Sequence, residues 1–180
     1  MKKKRAIVIT VICVCLCVGY YFYLTNRSSG KEEDLTEVQK LISMDLSLTH
    51  PKTPREVVKL YNRIEKCLYE EEYTEEEFKS LGMQARNLMD KDLQANNPED
   101  QYLLLLKSEI ETFKDEGKSI VRIGLSSGNE VEYEKREGYD CAYVGASYFI
   151  KVKKSTERTN QTFILRKSDE NKWMILGIYQ

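Results

Sequence analysis

The chain has 180 residues, with 28 Lys and Arg against 29 Asp and Glu and a single histidine. Set apart from its N-terminal segment, it leaves about 150 residues, enough for one domain whose core needs no metal or disulfide staple. All 29 acids follow Arg27, so residues 28–180 are net negative, which argues against nucleic acid or an anionic lipid surface as a partner.

The N-terminus reads Met-Lys-Lys-Lys-Arg, a basic tail over residues 1–5, followed by an uncharged run from Ala6 to Leu24. As a helix this run spans about 28 Å, close to the hydrocarbon thickness of a bilayer. Its last turn, Tyr20-Tyr21-Phe22-Tyr23, carries the aromatic rings that settle at a membrane–water interface. Bases ahead of the run outweigh those behind it, so the expected topology is a single-pass cell-membrane protein with its N-terminus inside and its domain outside. A cleaved signal peptide would need small residues where the bulky aromatics stand, so a retained anchor is expected. Cys13, Cys15 and Cys17 follow Ile12, Val14 and Leu16 rather than the small residue of a lipoprotein signal, and read as small apolar residues in lipid. Residues 25–34 are polar and aperiodic, a tether, and residues 35–180 form the extracytoplasmic domain.

Helical spacing begins at Leu35 with Val38, Leu41, Ile42 and Leu46, predicting a juxtamembrane helix from Leu35 to Leu48 that stops at His50-Pro51. Thr53-Pro54-Arg55-Glu56 is a capping box with proline at the first helical position. It opens a second helix to about Glu70, with Val57, Val58, Tyr61, Ile64 and Leu68 inward. Thr74-Glu75-Glu76-Glu77 repeats the box and opens a third helix whose stripe runs through Phe78, Leu81, Ala85, Leu88 and Met89 toward Leu93. A fourth helix follows Asn97-Pro98, with Tyr102, Leu105, Leu106, Ile110 and Phe113 inward, and Gly117 supplies its C-terminal stop.

After Gly117 the apolar period changes from 3.6 to 2. Strands are predicted at Ile120–Leu125, Val131–Glu134, Asp140–Lys153, Thr159–Lys167 and Trp173–Tyr179. Helices followed by an antiparallel meander of four or five strands make the class α+β.

Thr53-Pro54-Arg55-Glu56-Val57-Val58 with Tyr61, the Glu-rich turn ending Tyr73-Thr74, and the closing Asn171-Lys172-Trp173-Met174-Ile175-Leu176-Gly177 carry a resemblance. The chain resembles uncharacterised membrane-anchored bacterial members of the nuclear transport factor 2-like (cystatin-like) superfamily over about residues 53–179. The resemblance implies a curved sheet wrapped against helices into a cone, whose pocket some relatives use for catalysis and others for binding or pairing. One departure is that three helices here precede most or all of the sheet, whereas the superfamily often inserts strands earlier.

Catalytic relatives place a His or Asp inside the cone. His50 falls outside the region of resemblance and is expected in a surface loop. Neither face of the long strand carries a carboxylate in mid-strand, and Asp140 stands at its start, where a solvated turn residue is expected. Cys67, Cys141 and His50 are too few and too scattered for zinc, and Glu70–Glu77 lacks the spacing of a calcium loop, so no metal site is expected. No phosphate loop or nucleophile elbow points to a cofactor or a hydrolase. The expected function is a non-catalytic binding or protein-interaction module at the cell envelope, with Tyr61, Tyr143, Phe149 and Trp173 as ligand- or partner-binding candidates. The alternatives are a small cone-shaped enzyme using Asp140 or Tyr61 as acid or base, and a purely structural envelope protein. Cys67 and Cys141 are candidates for a disulfide, which an external compartment permits. The long strand sets Ala142, Val144, Ala146, Tyr148 and Ile150 against Cys141, Tyr143 and Phe149. Both sheet faces therefore need a cover: helices on one, and the juxtamembrane helix, a homodimer or an envelope protein on the other.

Overall fold

The computed structural model describes residues 35–180, together with Val18 and Tyr20. The expected basic tail, the tether and all but those two residues of the expected anchor lie outside the described residues. Among the described residues no helix is long and apolar enough to cross a membrane. The chain divides into two units, Met1–Thr36 and Glu37–Gln180, and the second holds the α+β fold.

Five helices come first: α1 (Glu37–Ile42), α2 (Pro54–Glu70), α3 (Glu75–Arg86), α4 (Lys91–Asn96) and α5 (Glu99–Asp115). Both predicted capping boxes are present. Thr53 accepts from the Glu56 N–H while Glu56 returns a bond to the Thr53 N–H, and Thr74 and Glu77 do the same for α3. Each cap stabilises its helix by about 1 kcal/mol. α2 is the central helix, with Val57, Val58, Ile64 and Leu68 at no more than 1 % exposure. Gly117 ends α5 at φ 66°, a left-handed conformation that glycine adopts without strain.

The sheet has strands β1 (Lys118–Leu125), β2 (Glu132–Arg136), β3 (Tyr139–Val152), β4 (Ser155–Lys167) and β5 (Trp173–Tyr179), all antiparallel. β3 is its spine. β1 pairs with the C-terminal half of β3 (Lys118 opposite Val152) and β2 with the N-terminal half (Glu132 opposite Tyr143). β4 runs along the other side of β3, and β5 pairs with β4. Register slips between Ile120 and Arg122 and between Ile164 and Leu165 are β-bulges, which bend the sheet around the helices. The core lies between sheet and helices, where Ala142, Val144, Ala146, Phe163, Leu165 and Ile175 meet α2.

Three expectations are corrected. The first helix is short: Asp45 accepts from the N–H and hydroxyl of Ser47, and this local turn competes with helix continuation. Gln84 on α3 donates to the carbonyls of Ile42 and Met44 and so satisfies the end of α1. The third helix stops at Arg86 rather than running to Leu93. Leu88 and Asp90 instead exchange backbone bonds with Ile175, adding a short extended segment to the edge of β5, and the Asp90 side chain caps α4. Finally, α1 does not cover the second sheet face; it packs on α3 and α2 in the helical layer.

That second face is occupied by its own polar side chains. The Arg122 and Arg158 guanidiniums lie over the Phe149 ring, 4.2 and 5.8 Å from its centroid. Arg158 also donates to Ser147 across the strands and to Asn160 on its own strand, and the Tyr143 hydroxyl donates to Glu134. Long cationic stems cover apolar rings while their heads stay in water, so an alternation apolar on both sides does not require a second layer.

Candidate functional site

The inner sheet face changes character along β3 and β4. Near β5 it is apolar, pairing Ala142 with Leu165 and Val144 with Phe163; farther on it pairs Ala146 with Gln161 and Tyr148 with Thr159. A cavity of about 670 Å³ opens there, with Tyr148, Ile150, Thr159 and Gln161 as its sheet wall. Its helical wall is Tyr61, Glu65 and Tyr69 from α2 with Tyr102, Glu109 and Phe113 from α5. Tyr61, Glu65 and Tyr69 are four residues apart on one stripe of α2, so helical geometry alone aims all three inward.

Glu65 stands at the centre of this wall. The residue is half-buried and lines the cavity. Its carboxyl is raised to about 7, chiefly by desolvation and then by the nearby Glu109, against the lowering effect of the Tyr61 hydroxyl within hydrogen-bonding reach. Burial and the same carboxylate push the hydroxyls of Tyr61, Tyr69, Tyr102 and Tyr148 up, so all four are neutral donors at any physiological pH. Tyr69 is within reach of Glu109. Tyr148 donates to Asn62 Oδ1 at 2.5 Å. The Tyr102 hydroxyl and Asn62 Nδ2 are buried with no hydrogen-bond partner. A buried polar atom without a partner costs about 1–3 kcal/mol, so these orphans mark a place where packing was not optimised for stability alone.

A second cavity, about 870 Å³, lies at the other end of the sheet among Asp90, Asp92, Arg166, His50 and Lys172. Its innermost charges satisfy one another. Arg166 bonds both Asp90 oxygens and Asp92, and these bonds raise its guanidinium further. His50 is half-buried there rather than in a free loop, and its Nε2 donates to the Trp173 carbonyl at 2.9 Å. Although larger, this cavity is a self-paired electrostatic clasp, and the tyrosine-lined one holds the unbalanced chemistry.

The four sequence candidates therefore scatter. Tyr61 lines the tyrosine cavity and packs edge-on against Phe163 with centroids 5.7 Å apart. Tyr143 and Phe149 lie on the outer sheet face. Trp173 is buried at the opposite end, edge-on to Tyr133. Asp140 is exposed at the start of β3, facing Lys135 at 3.8 Å, outside both cavities. Cys67 and Cys141 are both buried and free. Cys67 belongs to the core, whereas Cys141 alternates with the core-facing Ala142 and so points to the other face of the sheet, which separates the thiols. Among the described residues no group of three or more His, Cys, Asp or Glu could hold a metal ion. Sequence reasoning looked for the carboxylate on the strands and missed Glu65. The signal was available in Tyr61-x-x-x-Glu65-x-x-x-Tyr69, an acid on the inward stripe of an amphipathic helix.

Fold and cavity together define an α+β domain whose helix-covered, bent sheet holds an acidic, tyrosine-lined recess. By sequence the chain belongs to the family described as Domain of unknown function (DUF6715), whose model matches residues 1–178. No curated protein matches it.

Proposed function

We propose that this chain is a membrane-anchored ligand-binding protein, with its α+β domain outside the cell and the tyrosine-lined cavity as its binding site. The observation that carries the reading is the unpartnered Tyr102 hydroxyl beside a desolvated Glu65 in a recess large enough for a small molecule. The resemblance to the nuclear transport factor 2-like superfamily supports it, since a pocket between bent sheet and helices is what that cone would provide. The uncharged run Ala6–Leu24 behind four basic residues supports the anchor and its orientation. A protein partner on the outer sheet face is the weaker proposal, because arginines already cover Phe149 there.

One observation favours a second reading. A carboxyl near 7 is poised to give and take a proton at neutral pH, so Glu65 rather than Asp140 would be the acid–base group of a cone enzyme. Native mass spectrometry of the chain purified from its host membrane tests the binding reading. A small molecule retained by the wild type and lost on Thr159→Trp, which fills the sheet wall, is the expected result; no bound molecule in either protein refutes it. Appearance of a chemically altered product that depends on Glu65 moves the reading to the enzyme. External protease on intact cells should release the domain and leave the N-terminal segment in the membrane; protection of the domain refutes the orientation.

A further inference from the structure

We infer that the cavity selects an organic cation, an amine or quaternary ammonium group, held between the Glu65 and Glu109 carboxylates and the faces of the surrounding tyrosines. The inference rests on the reading that this cavity is a ligand site, and it adds the charge of the ligand.

The argument begins with what the fold does elsewhere. Asp90, the other deeply placed acid, receives the Arg166 guanidinium, which bonds both its oxygens. Glu65 and Glu109 have no ion-pair partner among the described residues; their only side-chain neighbours within hydrogen-bonding reach are tyrosines, which donate a proton without neutralising charge. Lys118 at the rim pairs with Glu116, and the Arg86 guanidinium stands outside the lining, behind Tyr102, held by Gln94 and the Asn97 carbonyl. Glu65 lies in the desolvated part of the recess and Glu109 is exposed at its rim, and the repulsion between them is relieved when Glu65 is protonated or a positive charge enters.

The remaining lining is aromatic. Tyr61, Tyr69, Tyr102, Tyr148 and Phe113 line one space from two helices and a strand, with Tyr69 and Phe113 packed edge-on at 4.8 Å between centroids. Aromatic faces carry negative potential and attract ammonium groups most strongly when water is excluded. An anion would meet carboxylates and ring faces of the same sign. A neutral guest would leave the carboxylates uncompensated.

Proton linkage follows. Glu65 is faced by Tyr61 and Tyr69 on its own helix, by Tyr102 and Glu109 from α5, by Tyr148 from β3, by Lys118 from β1, by the neutral Thr159 and Gln161 from β4 and by Tyr179 from β5. A bound cation favours the ionised carboxylate, so binding expels a proton below neutrality and affinity rises as pH rises from 5 to 8.

The test uses the full-length chain in a non-ionic detergent and three probes of nearly one shape: choline, its carbon isostere 3,3-dimethylbutan-1-ol, and the anion 3,3-dimethylbutanoate. Saturable NMR shift changes at cavity residues give the affinities. Expected is choline binding at least about tenfold tighter than the alcohol, strengthening toward pH 8, with Glu65→Gln/Glu109→Gln weakening choline by about 30-fold and leaving the alcohol unchanged. If the double variant does not fold, Glu109→Gln alone with the pH series of the wild type makes the same distinction. An alcohol or anion that binds as well as choline overturns the inference and leaves the cavity reading standing. Saturation by none of the three overturns both.

Discussion

Replacing Glu65 by glutamine tests the electrostatics of the cavity without reference to any ligand. The carboxyl sits near 7 in the folded chain against an ordinary value of 4.5. Below 4.5 it is protonated folded and unfolded, and costs nothing. As pH rises through the interval the unfolded chain releases its proton first, so the folded state loses stability until about pH 7, by on the order of 3 kcal/mol in all. Glutamine keeps the shape and has no charge to desolvate. The difference in stability between Glu65→Gln and wild type should therefore be near zero at pH 4.5 and grow to about 3 kcal/mol in favour of the variant at pH 8. Groups that do not interact with Glu65 are common to both proteins and cancel in the difference. Trp173 is the only tryptophan and is buried in the domain, so its fluorescence during denaturant unfolding reports the transition directly. A difference independent of pH, or a variant less stable than wild type at pH 8, refutes the placement of an uncompensated carboxyl in the cavity.

Breaking the clasp should behave in the opposite way. Asp90→Ala removes the cap of α4 and strands the Arg166 charge, and should cost about 3 kcal/mol, whereas Asp92→Ala, whose side chain is 68 % exposed, should cost less than about 1 kcal/mol; equal losses in denaturant titrations would show the pair is not the anchor. Gly117→Ala forces a side chain into φ 66° and should destabilise by about 1 kcal/mol, while Gly128→Ala meets open space at an ordinary φ and should be neutral; a thermal melt that does not separate the two refutes the backbone argument. Phe163→Ala, at a position with no exposure in the middle of the sheet, should cost about 3–5 kcal/mol and reorganise the Tyr61 ring. Cys67 and Cys141 should react with a thiol reagent only after denaturation, and to the same extent with and without prior reduction; a reduction-dependent difference would reveal a bond between them.

The local signals were legible because they are made by neighbours in the chain. The two capping boxes fix the starts of α2 and α3, Gly117 fixes the end of α5, and the change of apolar period at that point marks the passage from helices to strands. The inward stripe of α2 follows from Val57, Val58, Tyr61, Ile64 and Leu68 alone, and the even-numbered residues of β3 from Ala142 to Ala146 face the core as their alternation requires.

What the tertiary structure decided is the set of places where a local preference met a distant partner. Leu88–Asp90 carries a helical pattern, yet its backbone pairs with Ile175, because an edge strand leaves N–H and C=O groups that a passing segment can satisfy. Apolar residues on the outer face called for a cover, and arginines far along the strands supplied it. The cavity lies between α2, α5 and the part of the sheet where its inner face turns polar, at Tyr148, Thr159 and Gln161. Glu65 reads on the sequence as one acid among 29. Only the convergence of α2, α5 and β3 gives it four tyrosines and a second carboxylate as neighbours, because desolvation and Coulomb repulsion depend on distances through space that chain spacing does not contain.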